Sequence, residues 1–303
     1  MRRLKNIAVV GVGLIGGSLA LALRRAGAVT SIVGYDRDGQ SLERALSLGV
    51  IDTPADSVSE AVKGAELVVV AVPVRSIGPV LHDVALALDP GAVVTDVGST
   101  KGEVVRQAEA ELRDLFPRFV PGHPIAGREA SGVEAAAPEL FRSARVVLTP
   151  TPRTARDAVD LVTGCWEAAG ARIATMAPDA HDRIFAAVSH LPHILSFALV
   201  SEIAARAEAA ELLAFAAGGF RDFTRIAASS PEMWRDISLA NRDALGAAID
   251  AYREKLDAVA AMVASADAAA LEAMFARAAV ARRAWGAAQS ATASVPADGP
   301  RER

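Results

Sequence analysis

Ile7-Ala8-Val9-Val10-Gly11-Val12-Gly13-Leu14-Ile15-Gly16-Gly17-Ser18 is the stretch whose reading decides the fold. Its first four residues are apolar without alternation, as a strand buried on both faces requires. Gly11, Gly13 and Gly16 then follow at the spacing of a tight strand-to-helix turn. The first glycine permits the turn, the second lets the backbone approach a pyrophosphate, and the third lets helix and strand pack closely. Leu14 and Ile15 open a helix expected to run to about Ala26 and to end at Gly27, its free N–H groups facing the anion. The next strand candidate, Ser31-Ile32-Val33-Gly34-Tyr35, is followed by Asp36, about 20 residues beyond Gly16. An acid there accepts hydrogen bonds from both adenosine ribose hydroxyls and repels a 2′-phosphate, so NAD is expected over NADP. Arg37 tempers that preference, because an adjacent arginine can receive the phosphate.

Outward from this stretch, short β-branched runs alternate with helical stretches. Leu67 to Val72, Ala92 to Asp96 and Arg145 to Leu148 continue the strand series, with Ala171 to Ala174 as a last short strand. Strands separated by crossover helices predict an α/β Rossmann-type doubly wound domain over residues 1–176. The Val72-Pro73 step either flanks the cofactor with its backbone or is a plain strand-ending turn. From Asp179, taken as a helix cap, the chain reads as all helical. One helix is expected to reach about Ala209, bent near Pro192, with a break at Gly218-Gly219 and a further helix opening at Pro231. Ala240 to Trp285 carries Leu245, Ile249, Leu256, Val259 and Val263 at helical spacing. That is more apolar surface than one thin helical layer buries, so an all-α dimerisation domain is expected over 177–286, with a disordered tail over 287–303.

The 303 residues are 52% hydrophobic and 22% charged, with a net charge of −4. Such a chain is too apolar for disorder and carries no basic footprint for nucleic acid. The uncharged run Ile7 to Leu23 is interrupted by turn glycines and is read as strand, loop and helix, not as a signal or a membrane span. Cys165 is the single cysteine, so a disulfide-free, cytoplasmic chain is expected, and no metal-ligand spacing is evident.

Two further segments carry chemistry. Asp96-Val97-Gly98-Ser99-Thr100-Lys101 follows a strand directly, where ligands collect in such sheets. Gly122-His123-Pro124-Ile125-Ala126-Gly127-Arg128-Glu129 sets a histidine on a shaped loop. Together with the glycine stretch, with Ser189-His190-Leu191-Pro192-His193, with Gly219-Phe220-Arg221-Asp222-Phe223-Thr224-Arg225-Ile226-Ala227 and with Met233-Trp234, these segments resemble the prephenate/arogenate dehydrogenase family of tyrosine biosynthesis. The likeness runs in order from about residue 5 to 285 and implies the short form, without a fused chorismate mutase or a C-terminal regulatory domain.

The resemblance implies NAD-dependent oxidative decarboxylation of prephenate, with arogenate as a second candidate substrate. It makes His123 the proton acceptor and Ser99 a bridge between nicotinamide, reacting hydroxyl and His123. Arg225 becomes the charge for the substrate carboxylates, with Asp222 either holding it or forming an ordinary surface ion pair. Glu129 joins an ionic network at the site mouth. His193, then Ser189 and His190, contact the substrate side chain, although His190 also fits a packing role. Trp234 is either a core aromatic or a pocket wall, supplied across the dimer in one version. Arg128 departs from the Thr or Ser of many relatives and either favours the doubly anionic prephenate or faces solvent.

Three competing readings are weaker on this sequence. His190-Leu191-Pro192-His193 could bind a metal, but Pro192 distorts the spacing and no third ligand is evident. A β-hydroxyacid dehydrogenase needs a lysine on a second-domain helix, and beyond Lys101 only Lys255 remains. A non-catalytic NAD-sensing dimer needs none of Ser99, His123 and Arg225.

Overall fold

The computed structural model describes residues 2–128 and 130–293. Its first part runs β1 Leu4–Val10, α1 Leu14–Arg25, β2 Val29–Tyr35, α2 Gly39–Ser47, β3 Thr53–Pro54, α3 Val58–Val62, β4 Leu67–Val70, α4 Ile77–Ala85, β5 Val93–Asp96, α5 Gly102–Leu112 and β6 Phe119–Val120. The six strands form one parallel sheet in the order β3-β2-β1-β4-β5-β6. The order reverses between β1 and β4, and a crevice opens there at the strand C-termini.

Alternation along each strand divides its side chains between two cores. Ile7, Val9, Leu67, Val69 and Val93 face one side with Leu19 and Leu23 of α1. Ala8, Val10, Val68, Val70 and Val94 face the other, under Val58 and Val62 of α3, Ile77, Leu81 and Val84 of α4, and Val104 and Leu112 of α5. Both faces of β1 are apolar, so alternation alone does not choose its register. The landmark is Gly11, whose N–H donates to the Tyr35 carbonyl at 2.8 Å and which holds φ at +96°.

The chain then departs from the expected single sheet. β7 Gly122–Ile125, β8 Arg145–Leu148 and, after α6 Arg156–Ala168, β9 Arg172–Thr175 form a separate three-stranded sheet. β8 runs antiparallel to β7 and parallel to β9. Pro121 has no N–H to continue the β6 ladder, and its carbonyl instead accepts from Thr149 N–H at 2.9 Å. Cys165 is buried within α6, where burial pushes its thiol up to about 12.

α7 spans Pro178–Phe185, a π-helical turn covers Ala186–His190, and α8 spans Leu191–Ala204. The cap is Ala177, not the expected Asp179; Pro178 presets the first helical φ, and Asp179 lies inside the first turn. The irregularity expected at Pro192 is this wide turn just before it, which relieves the clash of the proline ring with the carbonyl four residues back. α8 stops at Ala204, short of Ala209, and the chain returns through α9 Ala209–Ala214 and α10 Gly218–Thr224. The return lays α10 along α8, where Ser196 Oγ–H donates to the Phe223 carbonyl at 3.3 Å. A 3₁₀ turn, Arg225–Ala228, leads to α11 Pro231–Ala240, with Ser230 capping and Pro231 in its first turn.

Contacts divide the chain into two compact units, 1–246 and 247–303, and the division falls inside α12 Arg242–Ala264. The change from strand to helix falls between β9 and α7, whereas the compact units divide at 246/247 and not at the expected 176/177, with α7 to α11 in the first unit. α13 spans Ala268–Ala293, so positions 287–293 are helical and not part of a disordered tail. Alanine's helix propensity carries that run through its small polar residues. The remainder of the expected tail, 294–303, lies outside the described residues.

Candidate active site

The cofactor cradle is built where β1 meets α1. A Cβ at Gly11 would stand 2.3 Å from the Ala71 carbonyl oxygen, and one at Gly16 2.1 Å from the Gly11 carbonyl oxygen. One at Gly13 would meet nothing within 4 Å. Gly13 is also the N-cap of α1 and has no side-chain cap, so the first N–H groups of the helix face that open space. Asp36 follows β2; its carboxylate accepts from Val12 N–H at 3.0 Å and from Asp38 N–H at 3.1 Å. Those bonds hold it beside the glycine turn with lone pairs to spare for ribose hydroxyls. Arg37 is exposed, and Val72 packs near Gly11 with Pro73 exposed beyond it. The open cleft over Gly13, the uncapped helix and the anchored acid fit NAD.

His123 sits in the second sheet, its backbone clamped from the first. Asp96 and Lys101 form an ion pair in which neither side chain is exposed at all. Asp96 accepts from Gly98 N–H at 2.8 Å and from Gly122 N–H at 3.1 Å, while Lys101 Nζ donates to the Gly122 carbonyl at 2.7 Å. Both polar groups of the residue preceding His123 are therefore held by one buried pair. Burial lowers the Lys101 ammonium from its ordinary value against the opposing pull of Asp96. Ser99 lies in the same loop, partly exposed.

The imidazole of His123 is held by α7. Its Nδ1 lies 2.8 Å from Nε2 of His181, whose Nδ1 lies 2.8 Å from the Asp182 carboxylate. Asp182 also accepts from Lys101 N–H and Gly102 N–H, each at 2.8 Å, and so caps α5 from another helix. Phe185 packs on both rings, at 4.9 Å from His123 and 4.4 Å from His181. Burial holds His123 well below its ordinary value, and His181, Lys101 and His190 push the same way. Burial also lowers His181, opposed by its bond to Asp182. Burial alone would raise Asp182, but the bonds from His181, Lys101 and Gly102 overcome it and lower the carboxyl.

The wide turn and the start of α8 after it send His190 and His193 to different partners. His190 is buried, with Nδ1 3.1 Å from Asn241 Nδ2, which in turn donates to the Asp182 carbonyl at 2.9 Å. Burial pushes it down to about 4. Through Asn241 it ties the π-helical turn to α7 and to the junction of α11 and α12. His193 is half-buried, with Nδ1 2.9 Å from the Ser189 carbonyl, and its ring stacks on Trp234 at 3.6 Å. Trp234 belongs to the same chain as that histidine, and its buried indole N–H has no partner among the described residues, a donor available to a ligand oxygen. Ser189 is partly exposed. Arg225 opens the 3₁₀ turn, exposed, and its charge acts on His193. Asp222 pairs with Arg221 at 3.7 Å on the open surface. Arg128 lies 3.9 Å from Glu139, both about half exposed. Glu129 lies outside the described residues. Among the described residues no group of three metal-ligating side chains occurs.

Sequence reasoning missed His181, Asp182 and Asn241, and gave Asp96 and Lys101 no role. His123 and His181 are 58 positions apart, and Lys101 and Asp182 are 81 apart. No local spacing signals either pair. An aspartate at the start of an apolar helix reads simply as helix-end chemistry.

The model of the prephenate dehydrogenase nucleotide-binding domain matches residues 19–175, and that of the prephenate dehydrogenase dimerization domain matches 177–277. The chain belongs to the prephenate dehydrogenase family. It is 40% identical to prephenate dehydrogenase of Bacillus subtilis over 88% of this chain and 73% of that one. It is 36% identical to cyclohexadienyl dehydrogenase of Zymomonas mobilis over 87% and 90%. Among solved structures, prephenate dehydrogenase of Aquifex aeolicus in complex with hydroxyphenyl propionate and NAD⁺ matches with a TM-score of 0.86 and 37% identity, covering 92% of this chain and 97% of that one. A 3-hydroxyisobutyrate dehydrogenase of Mycobacterium tuberculosis, at 17% identity and a TM-score of 0.50, shows a shared fold alone.

Proposed function

We propose that the chain converts prephenate to 4-hydroxyphenylpyruvate and CO2 with reduction of NAD⁺, serving tyrosine biosynthesis, and that it also accepts arogenate. The observation that carries this reading is the neutral, half-buried His123, whose backbone is clamped by the Asp96–Lys101 pair that flanks Ser99. Bound NAD⁺ supplies the acceptor for the hydride that leaves ring C4. His123 takes the C4 hydroxyl proton as that bond breaks and returns it to the phenolic oxygen once the carboxylate has left as CO2. No net proton is consumed, so the base must begin neutral, which its burial favours.

Ser99 orients the hydroxyl toward His123. Arg225 presents a planar fork to a substrate carboxylate, with the free N–H of Trp234 as a second donor. His193 and Ser189 contact the substrate side chain, and His190 supports them by packing. Gly11, Gly13, Leu14, Ile15, Gly16, Asp36, Val72 and Pro73 line the cofactor, and Arg37 flanks it without a fixed partner phosphate. What supports NAD over NADP is the anchored Asp36 carboxylate.

The working unit in this reading is a homodimer formed through the C-terminal helices, in the cytoplasm, without nucleic acid or membrane. Pro178–Ala204 is long and apolar enough to cross a bilayer by length and composition. It nevertheless carries His181, Asp182, His190 and His193 of the site, so we read its uncovered apolar surface as a face covered in the dimer. The test is the initial rate of NADH formation with prephenate or arogenate, each with NAD⁺ or NADP⁺. Fast NAD⁺ reduction with prephenate is expected; tight NAD⁺ binding without turnover on either substrate would overturn the reading. His123→Asn should lower kcat by at least about 100-fold while leaving NAD⁺ affinity intact.

A further inference from the structure

We propose that His181 and Asp182 are positioning residues that set the tautomer of His123. The Asp182 carboxylate keeps a proton on His181 Nδ1, the bare His181 Nε2 accepts from His123 Nδ1–H, and the remaining ring nitrogen of His123 is left as the free lone pair. The proposal rests on the reaction assigned to His123 above and adds how its proton is placed before substrate arrives.

The argument begins at Asp182, whose three short contacts leave it one role. Two are backbone N–H groups, of Lys101 and Gly102, which can only donate. An ionised carboxylate can only accept, so the third contact, His181 Nδ1 at 2.8 Å, must bring the proton. In a neutral imidazole the other nitrogen is then bare. His181 Nε2 has His123 Nδ1 at 2.8 Å, and two bare nitrogens at that distance would repel, so His123 carries its proton on Nδ1. A proton placed instead on the outer nitrogen of His123 would block the acceptor and also break the inner bond.

The surroundings favour this single arrangement. The His123 ring is faced by His181 and Phe185 from α7, by Lys101 from the loop before α5, and by His190 from the π-helical turn. Asp182 stands behind His181, and Asp96 behind Lys101. Both carboxylates are held by backbone N–H groups, so neither is free to swing toward His123 and take its proton. If His181 became protonated, its Nε2–H would donate to His123 Nδ1 and drive the His123 proton to the outer nitrogen. Loss of activity in acid should therefore begin when either histidine is protonated.

The decisive measurement is long-range ¹H–¹⁵N correlation on ¹⁵N-histidine-labelled protein, with His123 assigned by its loss in His123→Asn. The expected result is a neutral His123 with its proton on Nδ1; a proton on Nε2 overturns the proposal. Kinetics supply the second arm. His181→Leu, which can neither accept nor donate, should lower kcat by about 100-fold. Its KM for prephenate and its NAD⁺ affinity should change less than about threefold. His181→Gln, whose carbonyl oxygen can accept from His123 Nδ1–H, should keep kcat within about tenfold of the parent. Its acid limb should shift, because the amide does not titrate. Wild-type kcat and an unmoved acid limb in His181→Leu would overturn the proposal. If that variant does not fold, the tautomer measurement and His181→Gln still decide. Absence of prephenate turnover in the unsubstituted protein would sink the proposed reaction and leave the tautomer result standing.

Discussion

A methyl group added at Gly13 and one added at Gly16 meet opposite surroundings, although three positions separate them. The first enters open space over the start of α1, and the second collides with the Gly11 carbonyl and with Val9 and Ala71 at 3.0 Å. Gly13→Ala should therefore keep stability within about 0.5 kcal/mol of the parent while weakening NAD⁺ at least about tenfold, because the methyl occupies the pyrophosphate's approach. Gly16→Ala should destabilise the fold by about 1–3 kcal/mol through overpacking, and urea titration with and without NAD⁺ separates the two effects. At this scale the glycine turn and Asp36 were legible in the sequence, since each needs a residue type at a short, regular spacing, and His123 stood out only through the family resemblance. His181 and Asp182 were not, because their partners lie in other elements and a helical His-Asp pair has no distinctive pattern.

The element that does most to shape the proposed substrate side is the wide turn Ala186–His190 with Pro192 just after it. It buries His190 against Asn241 and leaves His193 beside Ser189 and Trp234. Pro192→Ala restores an N–H and removes the ring clash, so the turn should relax toward a regular helix. Stability should not fall, whereas the KM for prephenate should rise about threefold or more as His193 rotates away; an unchanged KM would show that the turn does not set this side of the site. A proline in an apolar run announces an irregularity. Whether the helix kinks, unwinds or widens depends on what packs around it, and that is why a bend was expected and a π-helical turn occurs.

At the scale of the whole molecule, buried neutral histidines make stability depend on pH. The folded-state values of His123, His181 and His190 lie below the ordinary imidazole value. Below about pH 6.5 the unfolded chain binds more protons than the folded one, so stability must fall as pH drops. For His190, held down at about 4, the loss reaches about 3 kcal/mol by that pH. Asp182, also lowered, adds to the loss at still lower pH. The melting temperature should thus begin to fall near pH 6.5 while kcat/KM stays level until His123 or His181 is protonated. Coincident acid limbs in the two measurements would contradict the lowered values. The assembly offers a second test. Leu256, Val263, Phe275, Val280 and Trp285 are exposed on α12 and α13. Val280→Asp should weaken self-association at least about tenfold, read by sedimentation equilibrium through its concentration dependence, because a charge buried without a partner is costly.

The amino-acid sequence by itself determined the Rossmann turn, the strand–helix alternation around it and a site for NAD, features written in neighbouring residues, while the role expected of His123 came from the family resemblance. Backbone conformation and anion binding at a helix start are local physics, so composition and spacing are enough to express them. Only the tertiary structure decided that β7, β8 and β9 form their own sheet, that Asp96 and Lys101 clamp Gly122, and that Asp182 and His181 stand behind His123. Those contacts join residues dozens of positions apart. A buried polar group takes whatever partner the fold brings within about 3 Å, and no spacing along the chain records which one that is.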